Sequence, residues 1–228
     1  MNATEFETYI DRLRSSLESF PQVIGLVTLG STAEPSLRDE WSDHDFWVIT
    51  EADAQDLLIH DLGWLPDAHH ISIKVSHGPR RRTLVYANGH KIEFAVFDVV
   101  EANRGKIQRH AVLIDRGKVA ELMSSIQQDT LTEARLTYDK PDALENLCVL
   151  VWSACERHQR GEFLSARQYL DGFAVNQLLS LFVAHDVHPM SDELDPRRHL
   201  ESRSPTALIP NEQTPEGERT QSHVYSPD

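Results

Sequence analysis

Apolar residues recur along the first half of the chain with two different periods, and the switches between them mark out the elements. Phe6, Tyr9, Ile10, Leu13 and Leu17 share one face of a 3.6-residue period, so residues 4–19 are predicted to form an amphipathic helix. Thr4 and Glu7 have capping-box spacing at its start, and Pro21 closes it. Val23–Leu29 is a β-branched apolar run, read as a buried strand, and residues 46–50 form a second. Residues 52–62 read as a helix stopped at Gly63, and residues 71–75 alternate as a strand does. Residues 84–87 and 91–97 flank Asn88-Gly89, a two-residue hairpin signal because that pair tolerates positive φ. Residues 111–114 add a short strand, which confines the sheet to about residues 20–115.

Beyond that point the period becomes helical. Leu144, Leu147, Val151, Ala154 and Cys155 share a face, in a helix opened by Pro141 and Asp142. After Gly161, a second stripe runs through Phe163, Ala166, Leu170, Phe173, Leu178, Leu181 and Phe182. The pattern predicts an α+β chain: a mixed-sheet domain with flanking helices over residues 1–118, then a helical domain over 119–202. Residues 203–228 are polar and proline-punctuated, too poor in apolar area to offset ordering entropy, and are predicted to be disordered.

Composition narrows the possibilities. The 228 residues are 40% apolar, and no apolar run approaches the ~20 residues of a membrane span. The acidic N-terminal stretch has no signal-peptide core, so a cytoplasmic location with no membrane partner is expected. A net charge of −14 argues against a general nucleic-acid surface. An anionic ligand would then need a local device such as a metal ion or backbone amides. Cys148 and Cys155 lie seven residues apart in one predicted helix, too far for a disulfide within it, and are expected to be core thiols in a reducing compartment.

The chemistry concentrates in LGSTAEPSLRDEWSDHDFWVIT, residues 29–50. Asp43 and Asp45 are two apart at the mouth of a strand, so both carboxylates fall on one sheet face, with Phe46 and Val48 on the other. A lone D-x-D is usually a turn residue and a strand-edge charge. Here a Gly-Ser pair precedes it at a strand end: Gly30 permits unusual dihedrals, and Ser31 can offer its N–H and hydroxyl to a phosphate. In KIEFAVFD, Glu93 shares parity with small Ala95 and with Phe97, whereas Asp98 has the opposite parity, so Glu93 is the better third carboxylate. Arg80, Arg81 and Arg82 read as a basic turn from which one could reach a triphosphate, and Lys74 and Lys91 are comparable. His44, between the aspartates, faces the other way and is expected to pack; His69, His70, His77 and His90 lack zinc-ligand spacing. Glu156, Arg157 and Asp171 read as solvated or ion-paired helix positions, with Asp171 the one suited to an acceptor cleft.

Gly-Ser, then D-x-D heading the next strand, then a carboxylate on a later strand, resembles the DNA polymerase β-type nucleotidyltransferase superfamily. The segments TLGSTAEPSLRDEWSDHDFWVIT, YANGHKIEFAVFD and AVLIDRG are more narrowly similar to the aminoglycoside and lincosamide nucleotidyltransferases. The resemblance spans about residues 20–116. It implies Mg²⁺-dependent transfer of a nucleoside monophosphate, usually AMP from ATP, to a hydroxyl, an acceptor class that includes antibiotics. It assigns phosphate contact to Gly30 and Ser31, metal binding to Asp43, Asp45 and Glu93, and a general-base role to Glu93. Two rivals stay open: AMP transfer to a protein or RNA, and a nucleotide- or partner-binding module without turnover. The sequence leaves the oligomeric state undetermined.

Overall fold

The computed structural model describes residues 3–138 and 142–185. Within them the chain is α+β, built on one mixed six-stranded sheet of order β3-β4-β5-β2-β1-β6. The strands are β1 (Val23–Leu29), β2 (His44–Thr50), β3 (Ile71–Ser76), β4 (Arg81–Tyr86), β5 (Lys91–Asp98) and β6 (His110–Asp115). Only β2 and β5 pair in parallel; the other neighbours are antiparallel. The helices are α1 (Ala3–Glu18), α2 (Gly30–Ala33), α3 (Gln55–His60), α4 (Val99–Ala102), α5 (Val119–Tyr138), α6 (Ala143–Gln159), α7 (Phe163–Arg167) and α8 (Val175–His185). Among the described residues no helix is long and apolar enough to cross a membrane.

The central strands β1, β2 and β5 are apolar at consecutive positions because both sheet faces are covered. On one face, Tyr9, Leu13 and Leu17 of α1 pack with Leu26, Phe46, Val48, Phe94 and Val96. On the other, Val119, Met123 and Ile126 of α5 pack with Val27, Trp47, Ile49, Ala95 and Phe97. Strand parity predicts the first layer. The second is a finding: the face that carries the acidic residues is itself core two residues further along each strand. Val119, Met123 and Ile126 thus bind α5 to the sheet, and α5 also contacts α8.

Three local readings are revised. Thr4 lies inside α1, where its carbonyl accepts from the Thr8 hydroxyl, and Glu7 pairs with Arg38, so no capping box forms there. The β4–β5 hairpin forms, but its loop is Ala87-Asn88-Gly89. The Gly89 N–H bonds to Tyr86 O at 2.9 Å, and the Tyr86 N–H to His90 O at 2.8 Å. Gly89 has φ +85° and Asn88 is not in the positive-φ region, whereas a two-residue type I′ turn would need both. In the helical part, Gln168–Ala174 is π-helical between α7 and α8. The wider turn breaks the 3.6-residue stripe: Ala166, Ala174 and Leu179 are buried, while Phe163, Leu170, Phe173 and Leu178 are exposed. Cys148 and Cys155 both lie in α6 and are exposed, so they are not core thiols. Pro141 and the segment 186–228, with the predicted disordered tail, lie outside the described residues.

Candidate functional site

At the end of β1 the chain turns into the single-turn helix α2. Gly30 makes that turn with φ +52°, a conformation that disfavours any side chain. Its N–H is already donated to Arg109 O at 3.2 Å, which leaves Ser31 as the phosphate-facing candidate of the pair. The residue that ties this turn to the acidic strand is Thr32, which the sequence reading did not single out. The buried Thr32 hydroxyl donates to Asp43 O at 3.1 Å and accepts from the Asp45 N–H at 2.9 Å. One side chain thus closes the eleven-residue loop and sets the spacing between Gly-Ser and D-x-D. Arg38 braces the same turn, donating to Ser31 O at 2.9 Å and Thr32 O at 2.6 Å while pairing with Glu7. A hydroxyl residue directly after Gly-Ser was the available signal, but nothing in the sequence says which strand it would reach.

Asp45 and Glu93 stand directly opposite each other in the parallel β2–β5 ladder. Their same-face neighbours Trp47 and Ala95 are both in the second core layer, so the two carboxylates project from one face, just beyond that layer. Asp43 immediately precedes β2. The structure therefore brings all three predicted carboxylates to one end of two adjacent strands. Lys91 links two of them: its ammonium lies 2.7 Å from Asp43 Oδ2 and 2.8 Å from Glu93 Oε1. Burial pulls the Lys91 pKa down, but hydrogen bonds to Asp43 and Glu93 outweigh it and hold it above the ordinary value.

A hollow of about 500 Å³ opens on this face, lined by Asp45, Glu93, His77, Arg81, Arg82 and Lys106 among others. Thr83 lies opposite Glu93 and Arg81 opposite Ala95, so β4 turns a basic residue toward the carboxylates. Of the three arginines, Arg80 is committed elsewhere, at 2.9 Å from Glu101 and 2.6 Å from Asp56. Arg82 bonds the carbonyls of Gly78 and Arg81. Arg81 packs its guanidinium 5.9 Å from the Phe97 ring centroid, within reach of the hollow. Lys74 lines a separate hollow with His60, His69 and Arg82. Asp98 caps α4, accepting from the Glu101 N–H at 2.7 Å, so it is structural. Asp171 is exposed and pairs with Arg167 at 3.3 Å.

His44 is fully buried, stacked on Phe6 with ring centroids 3.7 Å apart. Its Nε2–H donates to Phe6 O at 3.1 Å, which leaves Nδ1 to accept from His90 Nε2–H at 2.7 Å. Burial, with His90 alongside, lowers the His44 pKa to about 3, and burial lowers that of His90 to about 4. Both rings are neutral packing elements behind the site.

Three carboxylates at one sheet end are the hard oxygen donors that Mg²⁺ prefers, and Asp43 and Glu93 already bracket one cationic centre. The donor type suits magnesium, but the placement of the side chains does not. The side-chain placement is that of a lysine-paired site: among the described residues no group of three His, Cys, Asp or Glu side chains is arranged to hold a metal ion. Compared with known proteins, the chain matches no family model and no curated protein sequence.

Proposed function

We propose that the chain is a nucleotidyltransferase that moves a nucleoside monophosphate, AMP from ATP, to a hydroxyl of a small molecule. The observation that carries this reading is the Thr32 clamp, which holds a Gly-Ser turn against a D-x-D strand whose Asp45 is in register with Glu93. Phosphate-directed backbone, two aspartates and a third carboxylate on the adjacent parallel strand are then fixed relative to one another before any ligand arrives. Asp43, Asp45 and Glu93 are the residues that would hold Mg²⁺, which when bound supplies charge neutralisation for the polyphosphate. Ser31 offers donors to a phosphate, and Arg81 adds positive charge on the same face. Glu93 accepts the proton of the attacking hydroxyl, a role that its partial exposure in the hollow permits.

A second reading, the same chemistry on an RNA acceptor, is favoured by one feature. Residues 68–92 contain five Lys or Arg and four His but no Asp or Glu, in a chain of net charge −14. Both are tested by incubating the protein with Mg²⁺ and α-labelled ATP against a panel of aminoglycosides, lincosamides, proteins and tRNA. Label on a small hydroxyl compound, lost in Asp45→Asn, supports the first reading. Label on tRNA alone supports the second, and label on no acceptor contradicts both.

A further inference from the structure

We infer that the hollow between the end of α3 and the β3–β4 edge is a binding site for a phosphate group, held by Lys74, Ser76 and Arg82. The site stands on its own residues; only its link to a hydroxyl acceptor rests on the functional reading above.

The hollow, of about 560 Å³, lies on the sheet face that α1 covers, opposite to the face of Asp45 and Glu93. Ser76 stands across from Arg82, and Lys74 across from Leu84. Leu84 is fully buried in the layer beneath α1, so Lys74, Ser76 and Arg82 share that face at the rim of the core. Arg82 Nη1 donates to Gly78 O at 3.0 Å and to Arg81 O at 2.8 Å. Those bonds fix the guanidinium against the β3–β4 turn, while its Nε and Nη2 make no hydrogen bond among the described residues. A guanidinium edge, a lysine ammonium and a serine hydroxyl are donors suited to phosphate oxygens. His60 and His69 line the same hollow and add ring N–H donors. Asp61 is the single carboxylate among the described lining residues, and its Oδ1 accepts from the Gly63 N–H at 2.9 Å.

The chain has 36 Asp or Glu against 22 Lys or Arg, so most cations have a carboxylate within reach. Arg80 and Lys91, in the same part of the chain, each pair with two. Lys74 and Arg82 pair with none among the described residues, and residues 68–92 around them include no Asp or Glu. They are diagonal neighbours across β3 and β4, where two cations repel and an anion between them removes the repulsion. Arg82, next to the β3–β4 turn, also lines the hollow that holds Asp45 and Glu93. A phosphate held here therefore lies one side chain from the candidate site, and the acceptor carries a phosphate group near its reacting hydroxyl. An RNA backbone and a phosphorylated small molecule share that chemistry.

The test follows the phosphorus NMR line width of inorganic phosphate as the full chain is added at low salt, without metal or nucleotide. The wild type should broaden the line saturably. Lys74→Gln and Arg82→Gln should each weaken binding about three- to tenfold, and the double variant should abolish it. Lys118→Gln removes a charge from an exposed ion pair elsewhere, and Arg81→Gln one from the opposite face of β4; both should bind as wild type. Thermal melts establish that each variant is folded. A short single-stranded RNA and a sugar phosphate then compete with inorganic phosphate. Displacement by the RNA alone, weakening as salt rises, assigns a nucleic-acid backbone, and displacement by the sugar phosphate assigns a small ligand. No saturable binding to the wild type, undiminished binding to the double variant, or a loss in Arg81→Gln alone overturns the site. Displacement by neither competitor overturns its link to an acceptor. The nucleotidyltransferase reading is tested separately by the labelled-ATP assay, so the two can fail independently.

Discussion

The sheet and the helices after it use apolar residues in opposite ways. In the sheet, Leu26, Phe46, Val48, Ile49 and Ile92 are completely or almost completely enclosed, because α1 covers one face and α5 the other. In α6 to α8, the buried apolar residues among those described are Ala143, Ala154, Ala166, Ala174 and Leu179. There many of the large side chains are exposed, Trp152 at 69% and Leu164 at 89% among them. Small residues let helices approach closely but remove little apolar area from water. The difference locates stability in the sheet, which is also where the candidate site needs rigidity: Asp45 and Glu93 continue strands whose next residues are locked in core.

The sharpest way to break this comparison is to truncate one aromatic in each region. Phe46→Ala should cost about 3–5 kcal/mol in urea unfolding, while Trp152→Ala should stay within about 0.5 kcal/mol. Similar losses at both positions would remove the contrast.

The next effect is pH-dependent and belongs to the sheet region. His44 has a folded pKa of about 3, below its unfolded value, so its neutral form is the one the fold accepts. Its contribution is complete above an unfolded pKa of about 6.5 and is lost as pH falls toward the folded value. Near pH 5 the loss should be about 2 kcal/mol, from about 1.4 kcal/mol per pH unit. His44→Gln should flatten the fall in urea midpoint between pH 7 and pH 5, and an unchanged slope would mean that His44 titrates normally.

Of similar size is the Thr32 clamp. Thr32→Val leaves the Asp45 N–H and Asp43 O without their partner and should cost about 1–3 kcal/mol. Ser180→Ala on α8, whose hydroxyl bonds Asn176 O, should cost under about 0.5 kcal/mol. The smallest perturbation is chemical: Cys148 and Cys155, exposed on α6, should both react with a disulfide reagent in the native protein without denaturant. Reaction only after unfolding would mean that α6 is covered.

How far the sequence anticipates this depends on whether a feature is local. The runs at β1, β2 and β5 show which residues are strand, and parity separates Glu93, which lies opposite Asp45, from Asp98, which caps α4. Parity says which residues share a face but not what covers it. That is why the second core layer behind Asp45 and the outward-facing Trp152 and Phe163 were not legible. The Thr32 clamp joins residues eleven and thirteen apart through a loop of no fixed period, and the Lys91 bridge depends on how two strand ends align. The extra hairpin residue and the π-helical stretch each shift register by one, below what a hydrophobic period resolves.

The central claim is that Asp43, Asp45 and Glu93 form one nucleotide-dependent cation site. It is tested most directly by a crystal structure with Mn²⁺ and α,β-methylene-ATP, read by anomalous scattering. The account predicts a manganese peak bonded to oxygens of these carboxylates and phosphate density at Ser31. Nucleotide bound elsewhere, or no peak at the strand ends, would contradict it.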